Sequence, residues 1–402
     1  MKTALSSSRR DFLKIAGTTA GGLLIGFNWF SCDSPKVKVL STEEILAQAK
    51  SFNSFLSISP SGDVVIFSPN PELGQNIKTS FPMVVAEELE ADWEKVRVVQ
   101  AHLDPTKFER QLTGGSGAMP HSWERLRKAG ATAKFVLVAA AAQTWKVPAT
   151  EITVSKGTIS HEGSGKKGHF GEFAAIAATL TAPEEVTLKD KKDFTIIGTP
   201  VKNVDAKSMY TGQSMYGLDF QREGMRYAMI QRPPFGMKLS GVDDSAARGV
   251  TGVTDVVTFG SNVAVVGTST WPLMKAKKLL KLSYEPESTV EGSVDHDKLF
   301  ADLLAKGNAE VMRKDGNVNL AFKNAAKVVT AEYQCPFLAH SPMEPENFFA
   351  HVQGDKVELI GPTQTPDRAR QETAALLGIP PENVSVEITR LGGGFGRRLR
   401  AD

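Results

Sequence analysis

Cysteine is nearly missing from this chain. Its 402 residues hold two, Cys32 and Cys335, far apart and in unlike surroundings. No CxxC pair exists, which excludes an iron–sulfur cluster or structural zinc built from the chain's own thiolates. The seven histidines form neither HExxH nor HxxxH, so any metal must arrive inside a cofactor rather than on a cluster of protein ligands. Neither sign of charge dominates: Lys+Arg 47 stand against Asp+Glu 45, which removes the electrostatic case for nucleic acid. The GxxxxGK[ST] spacing of a nucleotide-hydrolysing loop is absent. So is a GxSxG elbow, since Gly114-Gly115-Ser116-Gly117-Ala118 departs from it at the fifth place, and a serine hydrolase is not supported. Long apolar runs are also lacking. The stretch from Ile15 to Phe30 is rich in Gly and Thr and shorter than the roughly 20 apolar residues of a membrane span.

What is present suits a globular protein: 41% hydrophobic and 23% charged residues, in a chain too long for one core, so that two or three domains are expected. Ser8-Arg9-Arg10-Asp11-Phe12-Leu13-Lys14 is close to the twin-arginine export pattern, and residues 1–32 are expected to be a leader to the periplasm. Ser31-Cys32 leaves room for a lipid or N-terminal anchor. After it, 45–202 has a mixed α/β texture. Asp63 to Phe67 and Val96 to Gln100 predict strands, and Met83, Val84, Ala86 and Leu89 line a helix between them. Trp123, Leu126, Ala129, Ala133, Val136, Leu137 and Ala140 mark a long helix with small residues for close packing. A hairpin over Glu151 to Ser160 and a helix over Gly171 to Leu180 come after it. Between 203 and 290, strands at Met225 to Ile230, Gly252 to Val257, Val263 to Val266 and through Leu282 and Tyr284, with a helix at Leu273 to Leu280, suit a small α/β domain. The texture of the first region returns over 294–402: a hairpin of Phe348 to Val352 with Val357 to Ile360, a helix from Ala369 to Leu377, and a strand from Val384 to Ile388.

Three stretches concentrate glycine next to helices or strands. Leu391-Gly392-Gly393-Gly394-Phe395-Gly396-Arg397-Arg398 comes after the last strand. Consecutive glycines let backbone N–H groups approach an anion; Phe395 adds an apolar wall, and the two arginines add fork-shaped donors. Leu112-Thr113-Gly114-Gly115-Ser116-Gly117 opens the long helix and offers hydroxyls and N–H groups. Pro71-Glu72-Leu73-Gly74-Gln75-Asn76 opens the earlier helix. A glycine-rich turn, a linker and a plain strand–turn–helix are the bland alternatives for these three.

The GGGFG stretch resembles the corresponding loop in the molybdenum-binding large subunits of the xanthine dehydrogenase/aldehyde oxidase family, and its RR ending is most similar to the isoquinoline 1-oxidoreductase beta-subunit branch. The likeness runs over nearly all of the chain after the leader. It implies an α+β, multi-domain molybdopterin-binding fold: a first cofactor-binding part at 45–202, an inserted aldehyde oxidase/xanthine dehydrogenase a/b hammerhead-like domain at 203–290, and a second part at 294–402. It implies a molybdenum–molybdopterin cofactor, in the cytosine dinucleotide form, held by Gly74 and Gln75, by Thr113, Gly114, Gly115 and Ser116, by Gln364, and by Gly393, Gly394, Phe395, Gly396 and Arg397. Gln364, in Thr363-Gln364-Thr365-Pro366, matches the glutamine whose amide donates to an oxo ligand of the metal. Met343-Glu344-Pro345 and Asn347 match an element beneath the cofactor, where Glu344 is expected to be structural. Asn76 replaces the last glycine of the family's ELGQG loop.

The implied reaction is hydroxylation of an aldehyde or N-heterocycle with water as the oxygen source. Electrons would leave to a separate small [2Fe-2S] subunit, with a cytochrome c as a further acceptor. Leu399 stands where some purine-oxidising relatives carry glutamate, so a purine substrate is not expected. The family's catalytic base, a glutamate, lies beyond GGGFG. No residue here matches it, Glu87, Glu88, Glu344 and Glu346 included, so the 402-residue chain by itself is expected not to turn over. A noncatalytic cofactor- or partner-binding scaffold is the alternative reading.

Overall fold

The computed structural model describes residues 41–401; the leader read at 1–32, with Cys32, lies outside them. The fold mixes helix and strand, and the chain divides into two compact units. The first holds 41–70, 76–110 and 115–204; the second holds 71–75, 111–114 and 205–401.

In the first unit, α1 (Thr42–Gln48), β1 (Lys50–Asn53), β2 (Leu56–Ile58) and β3 (Val64–Ser68) precede α2 (Ile77–Leu89) and β4 (Val96–Gln100). The sheet runs β1-β2-β3-β4, with β3 and β4 parallel. A parallel pair needs a crossover, and α2 supplies it. The long helix α3 (Ala118–Trp145) packs along α2, and β5 (Ile152–Ser155), β6 (Thr158–His161), β7 (Lys166–His169) and α4 (Phe170–Ala177) complete the unit. Leu56, Ile66, Phe81, Val85, Leu126, Leu137, Ile159 and Phe170 are among its buried core residues. The two helices meet at Gly130, where an added Cβ would lie 2.3 Å from the Val85 carbonyl oxygen and 2.9 Å from Glu88 Cβ. Alanine normally gains about 0.8–1.0 kcal/mol over glycine inside a helix. Here overpacking, typically about 1–3 kcal/mol, opposes that gain, so Gly130→Ala is expected to lower the thermal midpoint and Gly130→Val to lower it further. A raised midpoint for the alanine variant would refute the close crossing.

The end of α2 is tied down from within the same unit. Glu87, fully buried, accepts from Lys189 Nζ at 2.7 Å and from the backbone N–H groups of Thr195, Ile196 and Ile197 at 2.9, 2.6 and 2.9 Å. Its neighbour Glu88 takes Arg127 Nε at 2.6 Å and the Lys189 N–H at 2.9 Å.

The second unit contains α5 (Ala206–Tyr210), β8 (Tyr227–Gln231), β9 (Met237–Asp243), α6 (Ser245–Arg248), β10 (Val253–Phe259), β11 (Asn262–Gly267), α7 (Thr270–Leu279) and β12 (Lys281–Pro286). β8, β11 and β10 form an antiparallel sheet, and β12 pairs with β9. Val256, Val263, Val265, Leu273 and Ala276 make a small core of their own. Then come α8 (Ser293–Lys306) and α9 (Val318–Asn324), whose residues are not buried. Phe300, Phe322 and Phe337 are 47%, 60% and 72% exposed, so the apolar pattern of this stretch finds no core among the described residues. β13 (Phe349–Gln353) and β14 (Lys356–Gly361) form the expected hairpin, and α10 (Pro366–Leu377) crosses over to β15 (Val384–Ile388), parallel to β14.

Candidate functional site

The ends of β14 and β15 are neighbours in one parallel pair, with Gly361 opposite Ile388. The loops that leave the two strands therefore start from the same edge of the sheet. After β14 come Thr363, Gln364 and Thr365, all buried, and Pro366 then starts α10 with its ring already at helical φ. After β15 comes the glycine run.

Gln364 joins two loops with every group it has. Its backbone N–H donates to the Arg398 carbonyl at 3.0 Å, and its own carbonyl accepts from the Thr113 N–H at 3.0 Å. Its side-chain Nε2 donates to the Thr113 carbonyl at 2.8 Å, and Oε1 accepts from the Gly396 N–H at 3.2 Å. An amide carries two N–H groups, so one donor of Nε2 remains beyond the Thr113 contact. Thr113 Oγ1 in turn donates to the Pro71 carbonyl at 2.8 Å, which brings 71–75 to 111–114. In the turn at 71–75, Glu72 Oε1 accepts from the Gly74 N–H at 2.7 Å. Gln75 folds back on the same turn: Oε1 accepts from the Leu73 N–H and Nε2 donates to the Pro71 carbonyl. Gly74 has φ +107° and open space where a Cβ would stand.

The glycine run closes the arrangement. The Leu391 N–H donates to the Glu72 carbonyl at 2.9 Å. Gly393, Phe395 and Gly396 have φ of +98°, +53° and +92°, the left-handed region that costs a non-glycine residue such as Phe395 of order 1–3 kcal/mol. Gly394 allows Gln364 to approach, since a Cβ there would lie 2.7 Å from Oε1. The N–H groups of Gly393, Gly394 and Phe395 have no acceptor among the described residues. Successive unpaired N–H groups with left-handed steps between them form an anion-receiving concavity. The Phe395 ring is 69% exposed and lies back over Gly393, where a Cβ would come within 3.1 Å of it.

The second unit thus brings together Gly74, Gln75, Thr113, Gly114, Gln364, Gly393, Gly394, Phe395, Gly396 and Arg397 of the residues expected from sequence. Gly115 and Ser116 belong to the first unit, exposed and at φ +57° and +53°. Asn76, also in the first unit, has φ +67°, a conformation asparagine adopts more readily than most residues. One expectation is corrected. Arg398 does not offer a fork outward: it is 2% exposed and spends its donors on Gly393, Pro362 and Glu344.

Sequence reasoning missed a buried charge network at the root of the glycine run. Arg390 Nη1 lies 2.8 Å from Asp205 Oδ2, and Nη2 lies 3.5 Å from Glu72 Oε1. The three residues are scattered along the chain, and an acidic residue in the ELGQ turn was the only available hint.

Two family models of a molybdopterin cofactor-binding domain match the chain, over residues 22–259 and 302–401. The isoquinoline 1-oxidoreductase subunit beta of Brevundimonas diminuta is 31% identical, across 99% of this chain and 58% of its own. A membrane-bound aldehyde dehydrogenase of Gluconacetobacter polyoxogenes is 29% identical, across 99% of this chain and 53% of its own. The chain therefore spans a little over half the length of these relatives. Among solved structures, quinoline 2-oxidoreductase from Pseudomonas putida 86 aligns over 50% of this chain and 31% of its own, at TM-score 0.38 and 21% identity.

Proposed function

Since the chain belongs to the molybdopterin cofactor-binding family, we propose that the four short segments gathered in its second unit hold the metal-bearing end of a molybdenum–pterin cofactor. On this reading the chain is a molybdenum hydroxylase large subunit, or part of one. The observation that carries the proposal is Gln364, bound at once to Thr113 and to Gly396, beside three consecutive backbone N–H groups with no acceptor among the described residues. Oxo and phosphate groups are anionic acceptors, so the donor set suits them. A side chain at Gly394 would displace Gln364, so the glycine there is part of the fit.

The bound cofactor supplies two-electron oxidation of an aldehyde or N-heterocycle with water as the oxygen source. The chain's own residues do the placing. The N–H groups of Gly393, Gly394 and Phe395 donate to the anionic face. The second N–H of Gln364 gives a directional donor that adds no charge. Phe395 covers the loop and excludes water. Gly74, with open space above it, lets a ligand come close to the 71–75 backbone. Gly115 and Ser116 are assigned to the phosphates of a cytosine dinucleotide form. Electrons pass to iron–sulfur clusters on a separate subunit, a reading that the scarcity of cysteine in this chain supports, and on to a cytochrome c. The protein is exported to the periplasm by the twin-arginine route, a reading that the Ser8 to Lys14 pattern supports.

Purification of the exported protein from cofactor-sufficient cells tests this. Molybdenum by plasma mass spectrometry and oxidised-pterin fluorescence are expected in stoichiometric amounts. Protein that is folded but free of both would remove the proposal. Cofactor present, with no dye reduction for any aldehyde or heterocycle even when the chain is extended to the full length of its relatives, would instead favour the scaffold reading.

A further inference from the structure

Arg398 is the largest buried side chain among the described residues, and its hydrogen bonds all run to backbone or to one carboxylate. Its side chain is 1% exposed. Nε donates to the Gly393 carbonyl at 3.0 Å, Nη1 to the Pro362 carbonyl at 3.2 Å, and Nη2 to the Glu344 carbonyl at 2.7 Å and to Glu344 Oε2 at 3.3 Å. A second carboxylate, Glu346, stands farther off, with Oε1 3.8 Å from Nε. Glu344 Oε2 also accepts the Gly392 N–H at 2.8 Å, and the Glu344 N–H donates back to the Gly392 carbonyl at 3.1 Å. Oε1 holds the Leu218 N–H at 3.3 Å and Asn347 Nδ2 at 3.0 Å. The backbones of 344 and 392 are pressed so close that a Cβ on Gly392 would lie 2.4 Å from Glu344 Cβ.

We infer that Arg398 and Glu344 form a clamp that sets the glycine loop in its left-handed, donor-outward shape before any ligand arrives. The geometry separates the two adjacent arginines. Arg398 turns inward and consumes the carbonyls of 362, 344 and 393, so that these oxygens do not face the concavity. Its fork reaches three carbonyls in three directions, which a lysine ammonium at the end of a flexible stem cannot copy. Glu344 takes the N–H of Gly392, the residue just before the three unpaired ones. Neither side chain faces the ligand. Both are positioning residues, and they hold at a defined shape a run that four glycines would otherwise leave free. The consequence for cofactor retention rests on the cofactor reading proposed above, whereas the clamp itself does not.

Hydrogen exchange on the full chain separates the two. Arg398→Ala is expected to speed exchange at the hydrogen-bonded amides of Leu391, Gly392 and Gly396, read in peptide 391–396, by at least about tenfold, while peptide 262–267 in β11 stays as in the wild type. Added ethylguanidinium, which fits the vacated space, is expected to restore protection, and ethylammonium is not. Arg398→Lys is expected to remain unprotected. Should Arg398→Ala fail to fold, Glu344→Gln keeps the volume, removes the charge opposite the guanidinium and is expected to speed 391–396 alone. Unchanged exchange at 391–396, equal acceleration at 262–267, or full protection in Arg398→Lys would each overturn the clamp. Molybdenum measured on the same wild-type sample reports on the cofactor reading independently: its absence removes that reading and leaves the exchange result standing.

Discussion

Glu87→Ala is expected to lower the thermal midpoint of the first unit by about 10 °C or to prevent its folding. Removing one partner from a buried ion pair costs about 3–5 kcal/mol, and for a unit of this size each kcal/mol shifts the midpoint by about 2–4 °C. The loss here goes beyond the pair. Lys189 is left without its closest carboxylate, and the N–H groups of Thr195, Ile196 and Ile197 lose their acceptor together, each such orphan costing about 1–3 kcal/mol. Against a total stability of about 5–15 kcal/mol, such a loss is a large fraction of what holds the unit together. The same contacts set the pH dependence. Burial pushes the Glu87 carboxyl up, but the Lys189 ammonium and the three backbone donors outweigh it and hold the group below its ordinary value of 4.5. A group depressed in the folded state stabilises fully above its unfolded value and loses that contribution as pH falls through the folded one. Glu87→Gln should therefore be less stable than wild type at neutral pH, and the two should converge in acid. Circular dichroism melts across the carboxylate range check both points; a constant gap between the two proteins down to low pH would refute them.

The crossover β3–α2–β4 was legible in the sequence because Val64 to Phe67 is an apolar run between turn signals, Val96, Val98 and Val99 favour a strand, and helical spacing lies between them. β7 was not, because Lys166-Lys167-Gly168-His169 has no apolar alternation, although it pairs with β6 in an antiparallel register. β9 was missed for a related reason. Its seven residues are half-buried or exposed and include Gly241, which sits opposite Ser283 on β12. The helices α8 and α9 have apolar positions, but the pattern meets no core among the described residues, so burial could not have been inferred from it. At the candidate site, the glycine runs and the Thr-Gln-Thr-Pro turn were visible because glycine and proline constrain backbone wherever they occur. The direction of each arginine was not. Arg397 and Arg398 look alike in sequence, and only the packing of 344, 362 and 393 around one of them tells them apart. Arg390 with Asp205 and Glu72 was hidden more simply, since charges distant in sequence give no local signal of pairing.

Gln364→Leu makes the sharpest test of the site, because it keeps the bulk of the side chain and deletes only its polar end. The Thr113 carbonyl and the Gly396 N–H would then be buried without partners, at about 1–3 kcal/mol each. The Thr113 N–H bond to the Gln364 carbonyl and the Gln364 N–H bond to the Arg398 carbonyl would survive, since both are backbone. The segments should therefore loosen rather than unfold, and the sheet of β13, β14 and β15 should keep its stability within experimental scatter. Cofactor retention should suffer more: if about 2 kcal/mol of loop ordering must now be met on binding, affinity drops by about thirtyfold. Gln364→Glu isolates the donor. Its carboxylate can still accept from the Gly396 N–H, but its other oxygen would face the Thr113 carbonyl oxygen across a gap that is 2.8 Å in the wild type. Two acceptors at that distance repel, and the donor aimed at the cofactor is gone as well. The glutamate variant is therefore expected to retain no more molybdenum than the leucine variant, although it is nearly the same shape as wild type. If Gln364→Glu held molybdenum like the native protein, the amide would not be the group that joins these loops or faces the metal.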